Sequence, residues 1–170
     1  MFDVLNDQER DAMLALLRDP AAWVSVYRIC YTKYMNLQVG VKVLIKNNDD
    51  AYLFVRRKIQ VSTDKNQTSW DIPGGRINPD ETLDKALQRE VKEEIGYSLT
   101  AIPTLISAQD IMVLSKDLHV VRLTYTTKED VSDITLSDEH DDHVWLSLDK
   151  LDTVTLEPYL AQVIETLKNQ

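Results

Sequence analysis

Arg89, Glu90, Glu93 and Glu94 combine the residue types and spacing needed to hold a divalent cation and steady its ligands. The surrounding sequence gives that spacing its meaning. Read as a helix from Leu83 to Ile95, the segment turns by about 100° per residue, so Leu83, Ala86, Leu87, Val91 and Ile95 form one apolar stripe. Glu90 and Glu94 fall inside this stripe, Glu93 flanks it beside Glu90, and Lys85, Gln88 and Lys92 take the solvated side. An unpaired ionised carboxylate on a buried face costs several kcal/mol. Either these groups are protonated or a cation lies among them. Hard Mg²⁺ or Mn²⁺ suits an all-oxygen donor set and keeps coordination positions for water and phosphate.

The stretch Gly75 to Tyr97 resembles the Nudix box. That pattern is a Gly, five residues, Glu, seven residues, Arg-Glu, an aliphatic, any residue, Glu-Glu, any residue, Gly and an apolar residue. Gly75, Glu81, Arg89, Glu90, Val91, Glu93, Glu94 and Gly96 fall in register, with Tyr97 in the last slot. The approach Trp70-Asp71-Ile72-Pro73-Gly74-Gly75 also looks like the family's lead-in. A solvated acidic helix would require neither the apolar register nor the full motif.

The resemblance implies a hydrolase that cleaves the phosphoanhydride of a nucleoside diphosphate linked to another moiety: a nucleotide, a nucleotide sugar or an ADP-ribose type of substrate. Glu90, Glu93 and Glu94 would hold Mg²⁺ or Mn²⁺, with the Gly75 carbonyl as an additional ligand. Arg89 would orient a glutamate of the cluster, and Glu81 would brace the loop and helix start. The general base is a box glutamate such as Glu93, or Glu139 in the later run Leu136-Ser137-Asp138-Glu139-His140. Two other readings remain: a nucleotide-binding regulator with little turnover, and the family's isoprenoid-diphosphate isomerase.

The elements that must position these groups are legible nearby. Thr82 is a suitable helix amino-terminal cap, and Gly96 can end the helix in the left-handed conformation. Pro73-Gly74-Gly75 breaks the strand Trp70 to Ile72 and lets backbone approach a ligand closely. Gln38 to Lys46 alternates as a strand, Asn47-Asn48-Asp49-Asp50 makes a turn, and Ala51 to Arg57 returns. Arg56, Arg57 and Lys58 form a compact basic run. Strand alternation lets one arginine face the site, as a phosphate contact or in a surface ion pair, and Arg57 shares its face with Val55 and Leu53. Trp70 completes the expected substrate-binding set. Ser62 to Ser69 reads as an exposed, mobile loop beside the site.

Downstream, Ser98 to Val113 and His119 to Thr127 are β-like, Val144 to Leu146 is a short strand, and Glu157 to Lys168 is a closing helix. His140 and His143 with Asp138, Asp141 and Asp142 offer a second donor set without a regular scaffold. Upstream, Asp7 to Lys33 reads as helical with a break at Asp19-Pro20. The Trp23, Tyr27, Tyr31 and Tyr34 series is packing surface. The order of elements fits an α+β fold, an α/β/α sandwich with a mixed sheet. The expected organisation is a helical extension over 1–35, which caps the core or builds a homodimer contact, and a Nudix domain over 36–170.

Composition narrows the partners. At 170 residues and 44% hydrophobic content the chain can bury one core. Its formal charge of −9 disfavours polymeric nucleic acid and anionic membranes, which are bound through clustered Lys and Arg. A single cysteine, Cys30, rules out an internal disulfide and suits a cytoplasmic setting as a small core residue. The expected partner is a small-molecule nucleotide diphosphate derivative.

Overall fold

The computed structural model describes residues 8, 9, 11, 35–58 and 69–169. Of the expected helical extension, Gln8, Glu9 and Asp11 are helical. Cys30, the aromatic series from Trp23 to Tyr34, any homodimer contact made there, and most of the expected loop Ser62 to Ser69 lie outside the described residues. The chain divides into two compact units, Met1–Leu37 with Met112–His119, and Gln38–Ile111 with Val120–Gln170. In the first, Leu114–Lys116 forms a turn of 3-10 helix closed by Asp117 in the left-handed region, and Asn36 donates its N–H to the Asp117 carbonyl at 2.7 Å. No helix among the described residues is long and apolar enough to cross a membrane.

Among the described residues, strands and α-helices follow in the order β1 (Asn36–Lys46), β2 (Tyr52–Arg57), β3 (Trp70–Asp71), α1 (Leu83–Ile95), β4 (Thr104–Val113), β5 (Leu118–Lys128), β6 (His140–Leu146) and α2 (Leu160–Lys168). The sheet runs β3-β2-β1-β5-β4, with β6 on β2. It is mixed. β2 pairs antiparallel with β1, β3 and β6. β1 and β5 run the same way, since Asn36 bonds Asp117 at one end while Glu129 donates to the Lys46 carbonyl at the other.

β1 and β2 are nearly continuous apolar runs because both of their faces are covered. Val41, Val43, Ile45, Leu53 and Val55 meet Ala86, Leu87, Val91 and Ile95 of α1. On the opposite face Leu44, Tyr52, Phe54 and Ile72 meet Leu160, Val163 and Ile164 of α2. This is the expected α/β/α sandwich.

β1 and β2 pair beside their turn, Lys46 opposite Tyr52, and then part around the segment 70–77. Asp71 lies opposite Val55 of β2, whereas Val43 and Val41 of β1 donate to the Pro73 and Gly75 carbonyls at 2.9 and 2.8 Å. The diglycine is therefore wedged into the sheet. A Cβ on Gly74, whose φ is +128°, would meet the Val41 carbonyl at 2.2 Å. Only glycine fits there.

Three boundaries differ from expectation by more than about two residues. Residues 98–103 are irregular because side chains satisfy their backbone: Gln88 accepts from the Leu99 N–H and Glu129 from those of Thr100 and Ala101. β6 begins at His140 rather than Val144, since its acidic start pairs with β2 and its carboxylates meet Arg56. α2 starts at Leu160 after a turn in which the Leu160 N–H bonds the Glu157 carbonyl at 2.9 Å.

Candidate active site

α1 presents the site, and its ends are held as its sequence requires. Thr82 Oγ1 accepts from the Lys85 N–H at 3.4 Å, and Gly96 closes the helix with φ 72°. Glu94 is buried at 7% exposure, Glu90 is half-buried, and Glu93 is exposed. Both buried-side carboxylates lie on the diglycine. Gly74 donates its N–H to Glu94 Oε2 at 2.8 Å, and a Cβ on Gly75 would fall 2.4–2.7 Å from the Glu90 carboxylate. The Gly75 carbonyl, the expected extra ligand, lies in the same wedge and accepts from Val41, retaining a second lone pair.

Arg89 binds the cluster from the solvent side. Its Nε and Nη2 grip Glu81 bidentately at 2.8 and 2.9 Å. Its Nη1 reaches Glu90 at 2.7 Å and Glu93 at 3.1 Å, and Nη2 also meets the Arg76 carbonyl at 3.0 Å. Such a fork exploits the full planar donor set of a guanidinium. Hydrogen bonds from Arg89, then the Asn78 N–H, hold the Glu81 pKa down at about 2. Hydrogen bonds to Glu81 first, and then to Glu90, raise that of Arg89.

Glu94 behaves oppositely. Burial pushes its pKa up to about 7, against the pull of Lys42, the Gly74 N–H and Arg57. The rise from 4.5 amounts to roughly 3 kcal/mol against the charged form. Neighbouring Leu87, Val91 and Ile95, each fully buried, contribute about 1.5–3 kcal/mol apiece. The helix can therefore carry this misfit. A carboxylate so placed is stabilised by an incoming cation, and oxygen donors on a glycine cradle fit Mg²⁺ or Mn²⁺. Among the described residues no three His, Cys, Asp or Glu side chains already converge as a ligand set, because Arg89 occupies Glu90 and Glu93. That holds equally for the alternative donor set of His140, His143 and the nearby aspartates.

The loop before β6 reaches the same place. Ser137 donates its N–H to the Glu94 carbonyl at 3.0 Å and its Oγ lies 3.0 Å from His140 Nδ1. His140, 3% exposed, points Nε2 at Glu94 Oε1 across 4.0 Å, and burial lowers its pKa. Glu139, on this loop, is exposed and anchored by its carbonyl, which accepts from the Lys58 N–H at 2.8 Å.

The two arginines of β2 part company. Arg56 is engaged by Asp141 at 2.8 Å and Asp142 at 3.3 Å and lies over the Trp70 ring, 5.2 Å from its centre. Trp70 packs with the α2-side cluster, away from α1. Arg57 makes no such ion pair among the described residues, and its charge acts on Glu94 and His140. Sequence reading assigned no site role to Lys42 or Asp71, and His140 was expected among the aspartates rather than beside Glu94. Lys42 is 6% exposed and donates to Asp71 Oδ2 and the Ile72 carbonyl, both at 2.9 Å. A lone lysine within Val39–Ile45 was the available signal, since such a buried charge demands a partner.

Comparison with known proteins agrees with this geometry. A profile described as NUDIX domain matches residues 36–167. The nucleoside triphosphatase NudI of Enterobacter sp. (strain 638) is 28% identical over 120 residues, spanning 66% of this chain and 84% of that protein. The crystal structure of a MutT protein from Methanosarcina mazei Go1 superposes with a TM-score of 0.66 at 31% identity, covering 78% of this chain and 94% of that one. The NUDIX domain of Shewanella oneidensis NrtR, determined with ADP ribose, shares the fold at TM-score 0.64 and 18% identity, over 81% and 90% of the two chains. The chain thus belongs to the Nudix family, as a pyrophosphohydrolase acting on acid anhydrides.

Proposed function

We propose that the protein is a cytoplasmic, Mg²⁺- or Mn²⁺-dependent hydrolase that cleaves the phosphoanhydride of a nucleoside diphosphate linked to a further group, nucleoside triphosphates first among them. The observation that carries this reading is the pair of carboxylates, Glu90 and Glu94, laid on the Gly74–Gly75 backbone, with Glu90 braced by Arg89. The similarity to a nucleoside triphosphatase supports the triphosphate end of the range.

Glu90, Glu93, Glu94 and the Gly75 carbonyl would hold the metal. Once bound it supplies charge neutralisation at the diphosphate and a water of lowered pKa. Arg89 fixes Glu90 and Glu93 in position, and Glu81 fixes Arg89. Arg57, with no competing ion pair among the described residues, contacts a substrate phosphate, whereas Arg56 and Trp70 form the wall beside it. Glu139 takes the proton from the attacking water as its oxygen bonds to phosphorus and the bridging P–O bond breaks. Water is thereby split between phosphate products.

The deciding experiment assays nucleoside triphosphates, nucleotide sugars, ADP-ribose and dinucleoside polyphosphates with Mg²⁺ and with Mn²⁺, identifying products. Hydrolysis that disappears in Glu93→Gln and Glu94→Gln variants is expected. Tight nucleotide binding without turnover across the panel would instead make this a regulator. Conversion of isoprenoid diphosphates without hydrolysis would make it an isomerase.

A further inference from the structure

On the α2 face, one polar cluster is left over after the reaction centre has taken its residues. Arg122 of β5 lies over the Tyr159 ring with Cζ 3.5 Å from the ring centre, and its Nη1 is buried with no hydrogen-bond partner among the described residues. Gln109 of β4 flanks the same tyrosine. Its Nε2 donates to the Tyr159 carbonyl at 3.0 Å and to Gln162 Oε1 at 3.1 Å. Those two acceptors fix the amide's orientation, so Gln109 Oε1 is an acceptor, and it too is buried and without a partner among the described residues. A buried donor or acceptor left without a hydrogen bond is costly, so each favours a ligand that supplies one. One unpaired donor and one unpaired acceptor therefore stand at the same tyrosine, Arg122 on its ring and Gln109 on its carbonyl.

The complement of that pair is a flat group bearing a carbonyl oxygen beside an N–H, which is the lactam edge of an oxo-base. A phosphate does not fit. It has no N–H for Gln109, and the charges bearing on Arg122 are mixed, Asp71 and Glu157 against Arg57. Tyr159 is itself tethered, since its hydroxyl donates to Asp71, which Lys42 also holds. The ring is thus a fixed platform.

We propose that Arg122 determines base specificity, donating Nη1–H to a carbonyl oxygen of the substrate's base so that uracil, thymine or guanine nucleotides are preferred to adenine nucleotides. This rests on the nucleotide hydrolase reading above, and two independent measurements keep them separable. The first is kcat/KM for UTP, dTTP, GTP and ATP with Mg²⁺ for the whole chain and for Arg122→Met and Arg122→Lys. The second is calorimetric binding of UMP, TMP, GMP and AMP without metal, which needs no turnover.

The wild type is expected to favour at least one oxo-base nucleotide over ATP by tenfold or more in both measurements. Arg122→Met should collapse that ratio to within about threefold, mainly through KM, leaving the ATP values within about twofold. Arg122→Lys, which keeps stem and charge but not the fork, should fall between, and it carries the test if the Met variant does not fold. Equal losses with all four nucleotides, as a phosphate contact or mere packing would give, overturn the proposal, as does a wild type with no base preference. If the wild type hydrolyses nothing yet binds the monophosphates with this Arg122-dependent preference, the hydrolase reading fails and the specificity assignment stands.

Discussion

Glu81 and Glu94 belong to one motif and lie at opposite ends of one loop-helix unit, yet their surroundings drive them apart. At the entrance, Glu81 meets the Arg89 fork and the Asn78 N–H, and its pKa sits at about 2. Deep on the apolar stripe, Glu94 has the Gly74 N–H as its hydrogen bond, and its pKa is pushed up to about 7. The first carboxylate already has its counter-charge within the protein. The second is left short of one, so an added cation finds most of its advantage there. Position in the fold divides identical side chains into brace and ligand.

Glu94→Gln strikes this contrast hardest. It removes the buried charge while keeping shape and an oxygen for Gly74, so kcat/KM should drop on the order of 10³-fold with Mg²⁺ or Mn²⁺. Steady-state rates near wild type would show that Glu94 is not a ligand. The same variant should be more stable than wild type when metal is removed, and the sign follows from linkage. The folded pKa of about 7 exceeds the ordinary 4.5, so the fold prefers protonated Glu94. Its stability is intact below about 4.5 and declines as pH rises through about 7. Chelated wild type should lose roughly 3 kcal/mol over that window, and Glu94→Gln should lose correspondingly less. Denaturant titrations at pH 5 and 8 give the comparison. Parallel pH dependence in both proteins would remove the burial argument.

Arg89→Lys tests whether the two ends are linked. Arg89 touches Glu81, Glu90, Glu93 and the Arg76 carbonyl at once, a span that a single ammonium cannot cover. Metal affinity and kcat should fall about 10–100-fold, the range for losing a residue that orients ligands. If Arg89→Lys binds Mn²⁺ as tightly as wild type in a direct titration, brace and ligand are independent.

How much of this was legible in the sequence depends on how far each partner lies along the chain. The placement of Glu90 and Glu94 followed from helical periodicity, and Thr82 and Gly96 cap α1 as local rules require. The even alternation of β1 and β2 gave the hairpin and its two faces. Residues 98–103 looked like a strand because their side chains suit one, but Gln88 and Glu129 supply their hydrogen bonds from 11 and 28 or 29 positions away. The acidic start of β6 looked like a solvated run because its counterpart, Arg56, is 85 residues distant. His140 was weighed only as a ligand among aspartates, whereas burial against Glu94 makes it part of the main site. Windowed patterns cannot see such pairs.

The smallest effect should come from Glu81→Gln. Glutamine keeps an oxygen for one Arg89 nitrogen or the Asn78 N–H but surrenders the bidentate, charge-assisted grip. Arg89 retains Glu90 and Glu93, so activity should fall less than about tenfold. Its clearer signature lies in acid. A folded pKa of about 2, below the ordinary 4.5, stabilises the wild type above about 4.5, and this is lost as pH falls toward 2. Glu81→Gln should flatten that acid limb and leave the neutral-to-alkaline limb, where Glu94 acts, unchanged. Should Glu81→Gln instead alter stability between pH 5 and 8, the two glutamates would be coupled through Arg89, and the division between brace and ligand would have to be redrawn as one shared charge network.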